Sequence, residues 1–346
     1  MTATLAAARR ALDDQALHPA PGDEFAEIVM ATVGGAVPYD GYCLLGLDPT
    51  SGLRSFLFSR NGLDGVADRL TYNENVESDV NRYADLALAE VPVGILSTAT
   101  RAEPLSPRLH EVLRPAGFTS ELRLALRSGG RLWGALVLFR GDRRHPFTDA
   151  DAARTVALAD QLCTAVRRYP VRATDSTPDP LPPGVVLLDN ANAIVSMTAE
   201  ARAWVEDLRA GGLDEIEFED ALRVVYDVGL ATQRMSETGL APVCRVRTAT
   251  GRWLVVQGAP VLDCAPAVVA VVLQPAALRQ VLPAAAAWFG LTRRETEVLD
   301  LVARGMAAKH MGRCLELSVL TINDHLRSAY RKAGVSGREE LIARLT

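Results

Sequence analysis

The sequence is poor in the residues that metal and redox chemistry require. Among 346 residues there are five cysteines and five histidines. The cysteines stand alone at positions 43, 163, 244, 264 and 314, without a Cys-x-x-Cys pair or a metal-ligand spacing. Isolated cysteines of this kind are typical of buried, reduced thiols. The sequence therefore indicates no metal site and no cofactor.

Long apolar runs are also absent. No stretch approaches the roughly eighteen apolar residues of a membrane helix. The start, MTATLAAARRALDD, has no basic region ahead of an apolar core, which a secretory signal would need. We therefore expect a cytoplasmic protein that has no membrane partner.

Signatures of catalysis are missing as well. The sequence contains no Gly-x-x-x-x-Gly-Lys phosphate loop and no Gly-x-Ser-x-Gly nucleophile turn. His325 and His310 fall on consecutive predicted helices, but no third ligand accompanies them, and packing is the favoured role for His325. We predict that the protein is not an enzyme and has no catalytic residue.

The clearest pattern lies at the C-terminal end, where residues 291–345 predict four short helices. Thr292 and Glu295 have the spacing of a capping box, in which each side chain satisfies a free backbone amide at a helix start. Gly305 marks the end of that helix, because glycine adopts the left-handed conformation at little cost. A second helix follows over 307–315.

The third and fourth helices have signals of the same kind. Ser318 is a good N-cap for a third helix that ends near Gly334. Ser336 and Glu339 have the spacing of a second capping box. Two helices joined by a three-residue turn inside a compact helical unit predict a helix-turn-helix.

Residues 291–346 resemble the LuxR-type helix-turn-helix of bacterial transcription regulators. The matching residues are Leu291-Thr292-x-Arg294-Glu295-x-Glu297-Val298-Leu299, Gly305, Ser318-x-x-Thr321-Ile322-x-x-His325-Leu326, Lys332, Gly334-Val335 and Arg338. The resemblance implies an all-α four-helix domain that binds double-stranded DNA. One departure is Gly312, which stands in a helix where the family usually has alanine and which costs about 1 kcal/mol of helix stability.

Charge is distributed as DNA binding requires. Residues 282–346 contain ten Lys/Arg and seven Asp/Glu, whereas the rest of the chain contains 27 and 35. We expect four side chains to hold phosphates: Lys309, Ser318, Thr321 and Arg331. Asn323 and Arg327 are expected to contact base edges, and Asp324 either accepts from a cytosine amino group or weakens non-specific binding.

Residues 1–171 predict a sensor domain. Two strand-like runs, 42–47 and 53–58, are followed by an irregular stretch and then by two more runs around Gly129-Gly130, a strong hairpin signal. The order resembles a GAF domain, and the likeness depends on Leu132-Trp133-Gly134-Ala135-Leu136-Val137-Leu138 and on Pro146-Phe147-Thr148 with its helix.

The irregular stretch, 60–101, is too long for a plain connection and retains apolar residues, which is typical of a functional loop. We predict a pocket for a largely apolar small-molecule effector between this stretch and the sheet. Its expected lining is Tyr42, Leu70, Tyr72, Tyr83 and Trp133. The alternative is a domain that binds no small molecule and serves for dimerisation or partner docking.

The remaining segments connect the sensor to the DNA-binding unit. Residues 172–183 contain four prolines and predict a semi-stiff linker. Residues 184–274 resemble a PAS domain, opening with Val185-Val186-Leu187-Leu188-Asp189, although an unspecialised α/β spacer is the alternative. Residues 275–290 predict a connector helix.

Together these patterns predict a multidomain α+β protein, in which GAF-like and PAS-like antiparallel sheets with helices precede the four-helix unit. The predicted function is sequence-specific DNA binding and transcription regulation, controlled by an effector or partner at the sensor domains. The expected partners are an inverted repeat of double-stranded DNA, a second copy of the chain and RNA polymerase. The alternative is a signalling adaptor that binds a protein partner and has a weakened DNA-binding unit.

Overall fold

The computed structural model describes residues 2–61, 63, 66–98, 106–172, 181–208, 218, 221–234, 241–262 and 267–345. It contains two five-stranded antiparallel sheets followed by a helical region. The predicted multidomain α+β class is confirmed. The predicted domain boundaries remain predictions, and most of the proline-rich linker lies outside the described residues.

The first sheet belongs to the N-terminal unit and has the strand order β2-β1-β5-β4-β3. Its strands are β1 (Gly41–Leu47), β2 (Arg54–Arg60), β3 (Val93–Ser97), β4 (Phe118–Ser128) and β5 (Arg131–Gly141). The helices of the unit are α1 (Thr2–Leu17), α2 (Gly22–Ala36), α3 (Ala67–Asn75), α4 (Tyr83–Leu88), α5 (Asp149–Val156) and α6 (Ala159–Arg168), with a π-helical turn at Leu109–Leu113 and a 3-10 turn at Tyr169–Val171.

The predicted hairpin is present between β4 and β5. Gly129 and Gly130, at φ 59° and 72°, join the two strands directly. Two successive residues with positive φ form the turn whose twist matches that of the flanking strands, and glycine adopts it without strain. This local signal therefore sets the register of the two longest strands.

The two faces of this sheet are covered differently. Because strand side chains alternate, Tyr42 and Leu44 face the helical layer of α1, α2 and α6, whereas Cys43 faces the opposite side. That opposite side is covered by α3 and α4 and by the π-helical turn, through Leu109 and Leu113. We call α3, α4 and the π-helical turn the loop layer. The loop layer and the helical layer of α1, α2 and α6 enclose separate cores on the two faces of the sheet.

The second sheet forms the central unit and repeats the strand order, as β7-β6-β10-β9-β8. The elements of the unit are β6 (Gly184–Asp189), β7 (Ile194–Met197), α7 (Ala199–Asp207), α8 (Arg223–Gln233), β8 (Val243–Arg247), β9 (Trp253–Pro260) and β10 (Ala267–Pro275). Its core is centred on the fully buried Trp204. The PAS-like interpretation of this unit remains a prediction.

Edge strands of the two sheets meet at β2 and β8. The Cys244 thiol donates to the Arg54 carbonyl over 3.2 Å, and Arg245 Nη1 lies 2.9 Å from Asp48 Oδ2. Arg54 also pairs with Asp227, at 3.2 Å. The N-terminal and central units therefore share a polar junction with buried ion pairs.

Five helices complete the chain: α9 (Leu278–Phe289), α10 (Arg293–Ala303), α11 (Ala308–Leu315), α12 (Val319–Ala333) and α13 (Arg338–Leu345). Helix α9 is the predicted connector, and its Trp288 is buried in a stack with Trp253 of β9, with 5.4 Å between ring centroids. We call α10 to α13 the C-terminal helical unit. Within the described residues, no helix is long and apolar enough to cross a membrane.

The cysteines follow the sequence expectation in part. Cys43, Cys163 and Cys244 are buried free thiols, and burial raises the pKa of Cys163 to about 12. Cys314 is exposed, so the expectation of a buried thiol was wrong there, because α11 turns that position toward solvent. Cys264 lies outside the described residues.

Candidate functional site

The predicted cap at the start of α10 is present. Thr292 Oγ1 accepts a hydrogen bond from the Glu295 amide at 3.3 Å, and the Thr292 amide donates to Glu295 Oε2 at 2.6 Å. Each side chain satisfies a backbone donor that the helix itself leaves free. This capping box fixes the helix start on which the C-terminal helical unit is built.

A tight turn joins α11 to α12. Helix α11 ends with Glu316 in the left-handed conformation, at φ 56°, and the Leu317 amide returns to the Gly312 carbonyl over 2.8 Å. A Cβ at Gly312 would lie 2.6 Å from the Leu317 carbonyl oxygen. Glycine thus permits the close approach of the turn, which accounts for its presence inside a helix. Ser318 then caps α12, accepting from the Thr321 amide at 3.1 Å.

Helix α12 has one buried face and one exposed face. Ile322 and Ala329 are buried against the other helices of the unit. The predicted contact residues on the opposite side are all exposed: Asn323, Asp324, Arg327 and Arg331. We call α12 the recognition helix, because its outward side offers polar and basic groups of the kind that contact bases and phosphates.

Two side-chain contacts lie on the exposed face. Arg327 Nη1 lies 3.2 Å from Asp324 Oδ1, although both side chains are well exposed, at 80% and 59%. The hydroxyls of Ser318 and Thr321 are 2.8 Å apart. Lys309, on α11, is exposed. The structure therefore brings six of the seven predicted contact residues onto the recognition helix and its cap, and places the seventh on the preceding helix.

Sequence reasoning missed two apolar residues at the start of the recognition helix. Val319 and Leu320 are 44% and 71% exposed in its first turn, where side chains have no core to fill. An exposed apolar side chain at that position can contact a thymine methyl group. The sequence did contain a signal for them. Both residues directly follow the Ser318 cap, and they do not have the helical spacing of the residues on the buried face.

The recognition helix is held from behind by an ion pair. Lys332 Nζ is 2.7 Å from Glu295 Oε2, the same carboxylate that caps α10. Burial alone would raise the pKa of Glu295, but the hydrogen bonds from Lys332, the Thr292 amide and Ser328 outweigh it and lower the pKa to about 2. Glu295 is therefore charged under ordinary conditions and links the first and third helices of the unit.

The second predicted capping box was wrong in its partner. The Ser336 amide and hydroxyl both donate to Glu340 Oε2, at 2.7 Å each, and not to Glu339. Helix α13 begins at Arg338, later than the predicted start. The carboxylate in reach of the Ser336 amide is therefore one residue further along the chain.

The predicted effector pocket is not assembled as expected. Tyr42 and Trp133 face the helical layer, whereas Leu70 and Tyr83 lie in the loop layer on the other side of the sheet. Tyr72 is 45% exposed. Strand alternation separates the two sets, and a register shift beside Trp133, where Leu126 pairs with Gly134 and the next residue with Leu132, turns that side chain toward α6.

The space predicted for an effector is largely filled by buried charges. A cavity of about 30 Å³ remains beside Leu70 and Tyr83. Next to it, the fully buried Arg108 donates to Glu121 Oε2 at 3.1 and 2.9 Å, and Arg123 donates to Glu121 Oε1 at 3.1 Å. The cavity of about 30 Å³ has room for about one water molecule, so it is too small for an effector.

The C-terminal helical unit is bonded to both sheet units. Arg168 Nη1 donates to the Lys332 carbonyl at 3.3 Å, and Arg167 Nε donates to the Trp288 carbonyl at 2.9 Å. Trp253 Nε1 donates to the Arg344 carbonyl, also at 2.9 Å. These bonds join the sensor side to the connector and to the ends of α12 and α13. Among the described residues, no group of three or more His, Cys, Asp or Glu is placed to hold a metal ion.

Comparisons with known families and proteins agree with this geometry. The family model described as "Bacterial regulatory proteins, luxR family" matches residues 290–345, and the GAF domain model matches residues 21–166. The chain is 34% identical over 55 residues to the spore germination protein GerE of Bacillus subtilis, a match that covers 16% of this chain and 74% of GerE. The predicted GAF-like and LuxR-type regions are thereby confirmed.

Solved structures show more distant likeness. Escherichia coli SdiA aligns over 97% of this chain and 94% of its own, with 12% identity and a TM-score of 0.34. A domain of a putative two-component sensor histidine kinase from Sinorhizobium meliloti aligns over 42% of this chain and 91% of its own, with 23% identity and a TM-score of 0.32.

Proposed function

We propose, since the chain belongs to the luxR family of bacterial regulatory proteins, that it regulates transcription by binding an inverted repeat of DNA as a homodimer. The observation that carries the proposal is the exposed side of the recognition helix, where Asn323, Arg327 and Arg331 lie together. A helix of this kind fits the major groove and presents its N-terminal residues to the bases. Two such helices would contact half-sites about 34–36 Å apart, one helical turn.

The exposed groups have different proposed roles. Asn323 lies in the first half of the recognition helix and Arg327 one turn further on, just past its midpoint, and both would reach base edges. Arg331 lies one turn further on and would contact a phosphate, as would Lys309 and the Ser318–Thr321 hydroxyl pair at the helix start. Asp324, paired with Arg327, would orient the guanidinium and discourage contacts at the wrong sequence.

Control of DNA binding is proposed to come from the GAF-like domain and the central unit. The bonds from Arg167, Arg168 and Trp253 to the connector and the C-terminal helical unit give a physical route for it. An effector or partner acts only if it binds two arrangements of these units with different affinity. RNA polymerase is the proposed protein partner on DNA. A bacterial regulator of this kind would act in the cytoplasm. No catalytic activity is proposed for the chain.

The alternative is an adaptor whose DNA-binding unit has weakened. The observation that favours it is the Asp324–Arg327 ion pair, which places a carboxylate among the groups that would face DNA. If this carboxylate serves specificity, Asp324→Asn should tighten binding to random DNA by several-fold while the preference for the operator falls. In the adaptor, neither the wild type nor Asp324→Asn would distinguish an operator from random DNA.

The test of the proposed function is binding of the full chain to DNA taken from upstream of its own gene. Fluorescence anisotropy over a range of salt concentrations would measure affinity for that DNA and for a random sequence of equal length. We expect a preference for one inverted repeat and an affinity that falls steeply with salt, because phosphate contacts release counterions. Equal, salt-insensitive binding of both DNAs would overturn the proposal.

A further inference from the structure

A second cavity, larger than the one beside Leu70, lies where the N-terminal and central units meet. Its volume is about 140 Å³, and its walls come from β2, the turn at Tyr169–Val171, α8 and β8. Sequence patterns gave no sign of it, because each unit supplies only part of the wall. Cavities at such junctions are common ligand sites.

The size of the cavity limits what it can hold. An engineered protein cavity of about 150 Å³ binds benzene, so 140 Å³ accommodates a single six-membered ring with a small substituent. Drug-sized ligands usually occupy roughly 300 Å³ or more. A fused polycyclic or long-chain ligand is therefore too large for this space.

One wall is aromatic. Phe56, Phe58 and Tyr169 form a cluster in which every pair of ring centroids is 4.8 to 5.6 Å apart, and all three line the cavity. Tilted rings at these separations offer both edges and faces, the arrangement that a further aromatic ring joins favourably. This wall favours a flat, aromatic ligand.

The cavity also has a positively charged side chain in its lining, with a second one close by. Arg247 lines the cavity and is 8% exposed, and it donates to the Arg172 carbonyl at 2.9 Å. Arg172 itself is 4% exposed, and its Nε has no hydrogen-bond partner among the described residues. Burial, together with repulsion from Arg172 and Arg344, lowers the pKa of Arg247 to about 9. Two buried guanidinium groups side by side are stabilised by an anion.

Other lining groups leave room for this charge. Arg54, which also lines the cavity, is already paired with Asp227 at 3.2 Å. Of the described lining residues, Asp23 alone is acidic, and it is exposed. Ser55 is buried, and its hydroxyl makes no hydrogen bond with any described residue. A buried hydroxyl without a partner is costly, so a polar ligand atom would stabilise it.

We propose that this cavity binds a small aromatic carboxylate. The ring would lie against Phe56, Phe58 and Tyr169, the carboxylate would face Arg247, and the Ser55 hydroxyl would bond a polar ligand atom. The proposal names the effector class of the regulator and, in that respect, rests on the proposed function. The binding site itself depends only on the cavity.

Arg247 also provides a link to the DNA-binding unit. Its Nη1 lies 3.5 Å from the Arg344 carbonyl in α13, and its guanidinium lies over the Trp253 ring, 5.3 Å from the centroid. Trp253 donates to the same Arg344 carbonyl. A carboxylate bound at Arg247 competes with that carbonyl for the guanidinium. The ligand should therefore loosen the attachment of α13 and change DNA affinity.

Calorimetric titration of the full chain with benzoate tests the site. Benzyl alcohol, which has the ring without the charge, and acetate, which has the charge without the ring, are the matched probes. We expect one benzoate per chain, with benzyl alcohol about tenfold weaker or more and acetate undetected, because ring and charge contribute separately. Benzyl alcohol binding as tightly as benzoate would overturn the carboxylate assignment, and no heat with benzoate would overturn the site.

Three variants locate the binding. Arg247→Met should abolish benzoate binding and Ser55→Ala should weaken it several-fold, whereas Arg10→Met, at an exposed position on α1, should leave it unchanged. Since Arg247→Met removes a buried group and could fail to fold, Ala249→Leu provides a second test. It adds atoms at the half-buried cavity wall, where they would occupy the ligand space. Undiminished benzoate binding by a folded Ala249→Leu chain would place the ligand elsewhere.

Anisotropy with DNA separates this inference from the proposed function. Benzoate should shift the DNA affinity of the wild type and leave that of Arg247→Met unchanged. If benzoate binds but DNA does not, the regulator function fails and the site remains. If the operator is bound but benzoate is not, the site fails and the regulator function remains.

Discussion

Lys332 on the recognition helix and Glu295 at the start of α10 form an ion pair, with 2.7 Å between Nζ and Oε2. The same Glu295 oxygen accepts from the Thr292 amide, so one carboxylate serves as helix cap and as anchor of the recognition helix. Removing its charge therefore affects two elements at once. The exposed side chains that we propose contact DNA lie elsewhere on the helix and do not contact Glu295.

The first prediction follows from that carboxylate. Its pKa is lowered to about 2, below the ordinary 4.5, so its stabilisation is present above about pH 4.5 and is lost as the pH falls toward 2. At pH 7 the charged form contributes on the order of 2–3 kcal/mol. Glu295→Gln should lower the hydrogen-exchange protection of α10 and α12 in the full chain at pH 7. The difference from wild type should shrink by pH 3.

Glu297→Gln is the control, because Glu297 sits on the same helix in exposed pairs with Arg293 and Arg294. Exposed pairs contribute little, so this variant should resemble wild type at both pH values. A Glu295→Gln effect of the same size at pH 7 and pH 3 would contradict the ionic role.

The second prediction separates base contacts from phosphate contacts. Arg327→Ala should cost about 1–3 kcal/mol on the operator and relax its sequence preference, because a lost base contact affects one sequence most. Arg331→Ala should weaken all DNA sequences alike and reduce the salt slope by about one. Arg10→Ala, on α1, is the control. Anisotropy with operator and random DNA at several salt concentrations measures both effects. The assignment fails if Arg327→Ala weakens all sequences alike, or if neither variant changes DNA affinity.

The third prediction concerns the buried charges of the N-terminal unit. Arg108 is fully buried and pairs with two buried carboxylates, Glu121 and Asp79, so Arg108→Met removes a charge partner from both and should cost about 3–5 kcal/mol, although Arg123 still bonds Glu121. Arg82→Met, which breaks the exposed pair with Asp85, should cost about 0–1 kcal/mol. Calorimetric melting of the full chain would measure both. Equal shifts would mean that the buried network is dispensable.

Local signals were sufficient to predict much of the C-terminal helical unit. The Thr292 and Ser318 caps and the Gly129-Gly130 hairpin depend on residues at most three apart, whose chemistry is decided by neighbours in the chain. The exposed side of the recognition helix follows equally from helical spacing. These features could be predicted because no distant contact was needed to form them.

The sensor site could not be predicted in the same way. Whether Tyr42 faces the helices or the loop depends on which side of the sheet each layer covers, and alternation alone does not decide that. Trp133 changes side at a local register shift. The cavity at Arg247 needs walls from two units that the sequence encodes separately. Each of these is a long-range relationship that single-sequence spacing does not contain.

The last prediction tests the attachment of the C-terminal helical unit to the central sheet. Trp253 Nε1 donates to the Arg344 carbonyl, 91 residues away, while its ring stacks on Trp288 of the connector. Trp253→Phe keeps an aromatic ring but removes the donor, which should cost about 0.5–1.5 kcal/mol. Hydrogen exchange should rise in α13 and leave α11 unchanged, since the lost bond holds only the last helix.

Trp204→Phe is the matched control, because Trp204 is equally buried and its Nε1 donates at 2.8 Å to the carbonyl of Pro182, two residues before β6 and away from α13. It should cost a similar free energy without changing exchange in α13. If the bond restrains the DNA-binding unit, Trp253→Phe will also change operator affinity, whereas Trp204→Phe will not. Identical exchange in α13 for the two variants would show that the Trp253–Arg344 bond does not hold the helix, and control would then have to pass through Arg167 and the connector.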